Sequence, residues 1–136
     1  MTITLDIESA LPIGNNEYYK VCNKSQLIDN KGIRVNFGDE FGDYGDIDIA
    51  IIKCQDKIFA VSNICPHKHA PKIFEGIVTD NSVICPLHGW KYSLETGENL
   101  INHDGIKKLD IFEILIKDET VYLKRPKLKI PLWRQS

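Results

Sequence analysis

The sequence has no apolar stretch near the roughly 18 residues that a membrane span requires, and its longest apolar runs are strand-sized. A membrane helix is therefore not expected. The start, MTITLDIESALPIGNNE, lacks the basic-then-apolar pattern of a secretory leader, and its acidic residues are foreign to a mitochondrial presequence, so the cytoplasm is the expected location. Sustained helical period is almost absent, and so are repeats of twenty residues or more and low-complexity tracts, which argues against helical, solenoid and disordered chains. The acidic, Gly-rich stretch 38–48, GDEFGDYGDID, lacks the alternating ligands and closing bidentate Glu of a calcium loop, and reads as a solvated connection. Cysteine is scarce at four residues, and without an export signal these are not expected to form a disulfide framework.

What is present fits one globular domain over 1–136, with 43% hydrophobic and 26% charged residues. Short β-branched or aromatic runs broken by Gly, Asn and Asp predict an all-β protein, with strands near 18–23, 33–37, 47–54, 57–62, 77–79, 82–84, 108–116 and 120–125. Gln55-Asp56 and Lys117-Asp118-Glu119 read as tight hairpin connections. One helix is possible at 24–30, capped by Ser25. The net charge of -2 is segregated: residues 124–136 carry five bases and no acid, which leaves twelve bases against nineteen acids on 1–123. A basic end beside an acidic body is expected to make an internal or partner contact rather than to bind nucleic acid.

The chemistry lies in two matching segments. Cys65-Pro66-His67 stands in NICPHKHAPK and Cys85-Pro86-Leu87-His88 in VICPLHGWKY, with the two cysteines 20 residues apart. A strand ending in a Pro-containing turn can aim a thiolate and an imidazole at one point, and two such loops offer a Cys₂His₂ set. Such a set fits tetrahedral zinc or a Rieske cluster, with two Cys on one iron and two His on the other. Zinc fingers of this composition place both Cys before both His, with the His pair on a helix. Here the order alternates, which lets each loop give one ligand to each iron. Buried polar packing is the remaining alternative, although four such residues in two matching loops rarely coincide without a metal.

The segment CPLHGWKYSLETGE resembles the second cluster loop of Rieske ferredoxins, Cys-Pro-x-His-Gly-Trp-x-Phe followed by a Thr-Gly turn, and CPHKHAP resembles the first. KIFAVSN resembles the strand that precedes that loop. The likeness runs from residue 18 to about 125, with 126–136 a basic extension outside it. It implies a Rieske-like antiparallel β-sandwich or barrel with a small cluster-binding subdomain formed by two loops, and one [2Fe-2S] cluster per chain. Cys65 and Cys85 would hold the inner iron, His67 and His88 the outer one.

The neighbouring residues then bear on the potential. Ala70 and Leu87 occupy the positions of the disulfide that braces the respiratory-chain relatives, and Trp90 replaces a serine that donates towards a bridging sulfide there. Tyr92 is either a core aromatic or a phenol that bonds a ligand thiolate and raises the potential somewhat. Lys68, with Lys72 and Lys91, flanks the loops and is expected to shape partner docking. His69 stands where these ferredoxins usually carry Gly, and solvent exposure is the expectation for it and for His103. The chain is expected to be a ferredoxin that passes one electron from a reductase to an oxygenase or another reductase, and not an enzyme, because 136 residues leave no room for the mononuclear-iron domain of a Rieske oxygenase. The rival readings are the small Rieske-like subunit of a nitrite reductase and a zinc-bound interaction module.

Overall fold

The computed structural model describes residues 1–38, 44–45, 47–66, 70–87, 89–101 and 108–127. Among these residues the strands are β1 (Thr2–Leu5), β2 (Leu11–Ile13), β3 (Asn16–Asn23), β4 (Lys31–Phe37), β5 (Asp48–Cys54), β6 (Lys57–Ser62), β7 (Ile77–Thr79), β8 (Ser82–Ile84), β9 (Lys91–Ser93), β10 (Ile111–Phe112), β11 (Ile114–Lys117) and β12 (Thr120–Lys124). They form three sheets, ordered β1-β4-β5-β6-β10, β11-β12-β3-β2 and β7-β8-β9. All pairs are antiparallel except β1 with β4, which the sequence did not announce. The only helical pieces among the described residues are 3-10 turns at Ile7–Ser9, Lys24–Gln26 and Ile73–Glu75. The helix expected at 24–30 is thus a single turn, and its cap is Asn23, whose side chain accepts from Ser25 N while Gln26 bonds back to Asn23 N. The turn stops because Leu27 follows in extended backbone, φ -89 and ψ 134, with its side chain buried in the main core.

Period-two alternation decides which face each strand buries, and β5 buries both. Ile49 and Ile51 enter a core shared with Tyr19, Val35, Phe37, Val121 and Leu123. Ala50, Ile52 and Cys54 face the other way, into a second core with Ile73, Val83, Tyr92, Leu94 and Leu109. Residues 49–52 are all 0% exposed, so β5 is the wall between the body of the protein and its smallest sheet. Three of the four two-residue hairpin turns, Gln55-Asp56, Asp80-Asn81 and Asp118-Glu119, hold both central residues at positive φ, while in the fourth, Gly14-Asn15, only Gly14 does. The first three take the type I′ form whose twist matches the flanking strands, made here without glycine. The strand expected at 108–116 is interrupted at Glu113: β10 pairs with β6 in the large sheet and β11 with β12 in the second.

Some of the basic charge near the chain end is paired with the acidic body, as expected from its segregation. Arg125 contacts Glu17 at 2.6 Å and Lys124 contacts Glu113 at 3.0 Å. Arg125 also donates to the Tyr44 hydroxyl at 2.9 Å, at the end of an aromatic row in which Tyr19 and Phe37 stand 5.0 Å apart and Phe37 and Tyr44 5.1 Å. Residues 128–136 of the extension lie outside the described residues.

Ile51→Ala removes a side chain that is 0% exposed. The expected loss is about 2–5 kcal/mol in a urea titration, because the strand is held from both sides and cannot collapse onto the space left behind.

Candidate metal centre

Each cysteine sits one residue past the ladder that begins its loop, and the two loops have the same frame. Ile64 bridges to Pro71 and Ile84 pairs with Lys91, a span of seven residues in both. Inside each frame the cysteine N–H donates to the carbonyl five residues on, Cys65 to Ala70 at 2.9 Å and Cys85 to Trp90 at 2.8 Å. Gly89 completes the second turn by donating to the Cys85 carbonyl at 2.9 Å, from a backbone at φ +70 that an L-residue adopts only with strain. The frames match although the histidines do not, since His67 is the second residue after its cysteine and His88 the third after its own.

Cys65 and Cys85 are both 0% exposed and belong to the second core, so the two loops deliver two sulfurs into one apolar region. Neither is in a disulfide. Tyr92, in the middle of β9, is 0% exposed beside them. Burial pushes its phenol well above the ordinary tyrosine value, and the charge of Cys65, a hydrogen bond to that thiol and the charge of Cys85 add to the effect in that order. Among the described residues the hydroxyl has no completed hydrogen bond. The two observations describe one contact: the Cys65 sulfur lies near enough to act on the phenol, but the bond is incomplete. An orphaned hydroxyl next to two buried thiols is the arrangement expected where a thiolate-bound group belongs, because ligation leaves the sulfur negative and able to accept.

Of the residues singled out in the sequence, the structure brings Cys65, Cys85 and Tyr92 together and packs Trp90, half-buried, against the same core. Ala70 and Leu87 take their places in the two frames, with Leu87 at the surface. His67, Lys68, His69, His88 and His103 lie outside the described residues. Sequence reasoning missed Asn63, two residues before Cys65. It is fully buried, and it hydrogen-bonds to Asp48 on β5 and to the Ile73–Glu75 turn.

Residues 17–113 match the model of the Rieske [2Fe-2S] domain, and the chain belongs to that family, whose cofactor is the Rieske [2Fe-2S] cluster. The chain is 30% identical over 88 residues to human apoptosis-inducing factor 3, across 65% of this chain and 14% of that protein. It is 29% identical over 84 residues to the ferredoxin component of the alkene monooxygenase system of Xanthobacter autotrophicus, across 62% of this chain and 63% of that one. Among solved structures, a candidate NADH-dependent nitrite reductase small subunit from Mycobacterium tuberculosis superposes with a TM-score of 0.69 at 20% identity, covering 82% of this chain and 96% of that one. The first curated relatives are much longer than the segment they share with this chain, which spans 14 to 19% of their length.

Tyr92→Phe is expected to act in opposite senses on the two forms of the protein. Without iron it removes an orphaned buried hydroxyl and raises stability by about 1 kcal/mol in thermal unfolding. With iron bound it removes a donor to sulfur and lowers the midpoint potential by roughly 50 mV, the one-electron equivalent of a hydrogen bond.

Proposed function

We propose that this chain is a one-electron carrier, the ferredoxin component of an oxygenase or another oxidoreductase system. The observation that carries the reading is the pair of equal frames, 64–71 and 84–91, each presenting a fully buried cysteine to the same core. In this reading Cys65 and Cys85 hold one iron and His67 and His88 the other. When bound, the cluster supplies one reversible electron. The protein's own part is to keep water from the sulfurs, through the second core, and to hold both thiolates still from the backbone, through the Cys65 and Cys85 N–H bonds. The imidazole edges of His67 and His88 are the proposed exit for the electron, with Lys68 shaping the approach of a partner.

The likeness to a monooxygenase ferredoxin component favours an oxygenase as acceptor and a flavin or iron-sulfur reductase as donor. The nitrite reductase subunit reading draws on the superposition with the Mycobacterium tuberculosis structure, but a likeness at 20% identity speaks for the fold alone. A single domain working in the cytoplasm completes the proposal. No helix among the described residues is long and apolar enough to cross a membrane.

Anaerobic purification followed by visible absorption, dithionite reduction and electron paramagnetic resonance tests the reading. The expected result is a coloured protein that takes up one electron per chain, shows the low average g of a histidine-ligated cluster, and titrates in the lower part of the Rieske range of about -150 to +300 mV. Cys65→Ser and Cys85→Ser should each abolish the colour. A colourless protein with one zinc ion would refute the carrier, and copurification with a large siroheme-bearing subunit would move the assignment to a nitrite reductase.

A further inference from the structure

We propose that Asn63 is a positioning residue for the cluster, fixed in one amide orientation by Asp48 and Arg34 so that it closes the neck of the Cys65 loop. This rests on the carrier reading, in which Cys65 is an iron ligand. The chain leaves β6 at Asn63, carries Cys65 two residues later, and returns at Ile73 and Phe74. Every polar group of Asn63 is used at that neck. Its backbone N–H donates to the Asp48 carbonyl at 2.8 Å, and its own carbonyl accepts from Ile73 N at 3.2 Å. Its side-chain amide donates through Nδ2 to Asp48 Oδ1 at 2.9 Å and accepts through Oδ1 from Phe74 N at 2.7 Å.

An isolated amide has no reason to prefer one orientation over its flip, so the choice is imposed from outside. The Asp48 carboxylate can only accept, and the Phe74 N–H can only donate. Asp48 is itself held from the other side by Arg34, whose Nε lies 3.1 and 3.0 Å from the two carboxylate oxygens and whose NH2 group lies 2.6 Å from Oδ2. The far end of the neck has no slack either. A Cβ on Gly32 of β4 would stand 2.6 Å from the Phe74 carbonyl oxygen, so the backbone of the turn is pressed against the sheet. Loop and sheet are therefore joined by a chain of directed bonds running Arg34, Asp48, Asn63, Phe74. A shift at Asn63 moves the cysteine that follows it, and a carrier that keeps one ligand geometry in both oxidation states needs that shift suppressed.

The test exchanges the two groups in the full-length, iron-loaded protein. Asn63→Asp sets a carboxylate against the Asp48 carboxylate, and Asp48→Asn leaves one acceptor oxygen where two are used, so its amide N–H group faces either the Asn63 amide or the Arg34 guanidinium. The double variant restores a donor facing an acceptor, keeps an acceptor for Phe74 N–H, and leaves the total charge unchanged. Two quantities are read: the linewidth of the reduced paramagnetic resonance spectrum, and the rate at which a chelator bleaches the visible absorption. Each single variant is expected to broaden the lines and bleach about fivefold faster, and the double to return near the parent on both counts. Because both single changes have the same sign, simple addition cannot produce that recovery. Single variants with parental spectra and bleaching rates, or a double as broad as the worse single, would overturn the inference, even where thermal stability falls. If Asn63→Asp fails to fold, Asp48→Asn against the double decides between the same outcomes. A parent without a histidine-ligated cluster signal overturns the carrier reading and this inference together, whereas a normal parent with insensitive variants overturns this inference alone.

Discussion

A strand buried on both faces has no side left for water, and β5 imposes that condition on everything around it. Its even and odd positions serve different cores, so the body of the protein and the small sheet that bears the cysteine loops share one wall instead of being joined by a linker. Ala50, Ile52 and Cys54 form the floor of the region that holds Cys65 and Cys85. Cys54, 1% exposed, is in this sense a packing residue, and its resemblance to the two loop cysteines ends with its side chain.

The matched frames at 64–71 and 84–91 separate two jobs that a metal site often combines. Backbone bonds fix the cysteines identically in both loops, and the spacing from cysteine to histidine is free to differ, by one residue here. The family match places a [2Fe-2S] cluster in this domain. The thiolate side of such a site would be the dry and invariant one, set by N–H donors that cannot rotate away.

Much of this was legible in the chain itself, and the misses have physical causes. The runs at 57–62, 77–79 and 82–84 are strands with the expected limits, because their β-branched residues are bounded by turn formers. β2 was missed because Pro12 reads as a strand breaker and is tolerated only on an edge, where β2 lies. β9 has three residues between a loop and a turn, too few for any period to show. The run at 108–116 looks uniform, since alternation reports a buried face and not which sheet supplies the partner; only the tertiary structure shows the change of sheet at Glu113. At the candidate site, Cys65 and Cys85 were singled out by their motifs and Tyr92 by the family resemblance, and the structure brings the three together. Asn63 was not, because its partners at Asp48 and Phe74 are 15 and 11 residues away and nothing local sets the direction of its amide.

The first strand, which lies before the matched segment 17–113, has a consequence for how the molecule meets others. β1 lies parallel along β4, with bonds from Arg34 N to Met1 O and from Gly38 N to Leu5 O fixing its two ends. It covers β4 from Arg34 to Phe37, leaves Lys31–Ile33 beyond its own end, and stops just before a 3-10 turn. A long bare edge invites strand addition by any extended chain. In the carrier reading, where partners are touched briefly and at one place, such an edge would compete with productive collisions and hold the molecule in complexes that transfer nothing. Over Arg34–Phe37 of β4, the first strand already occupies that place.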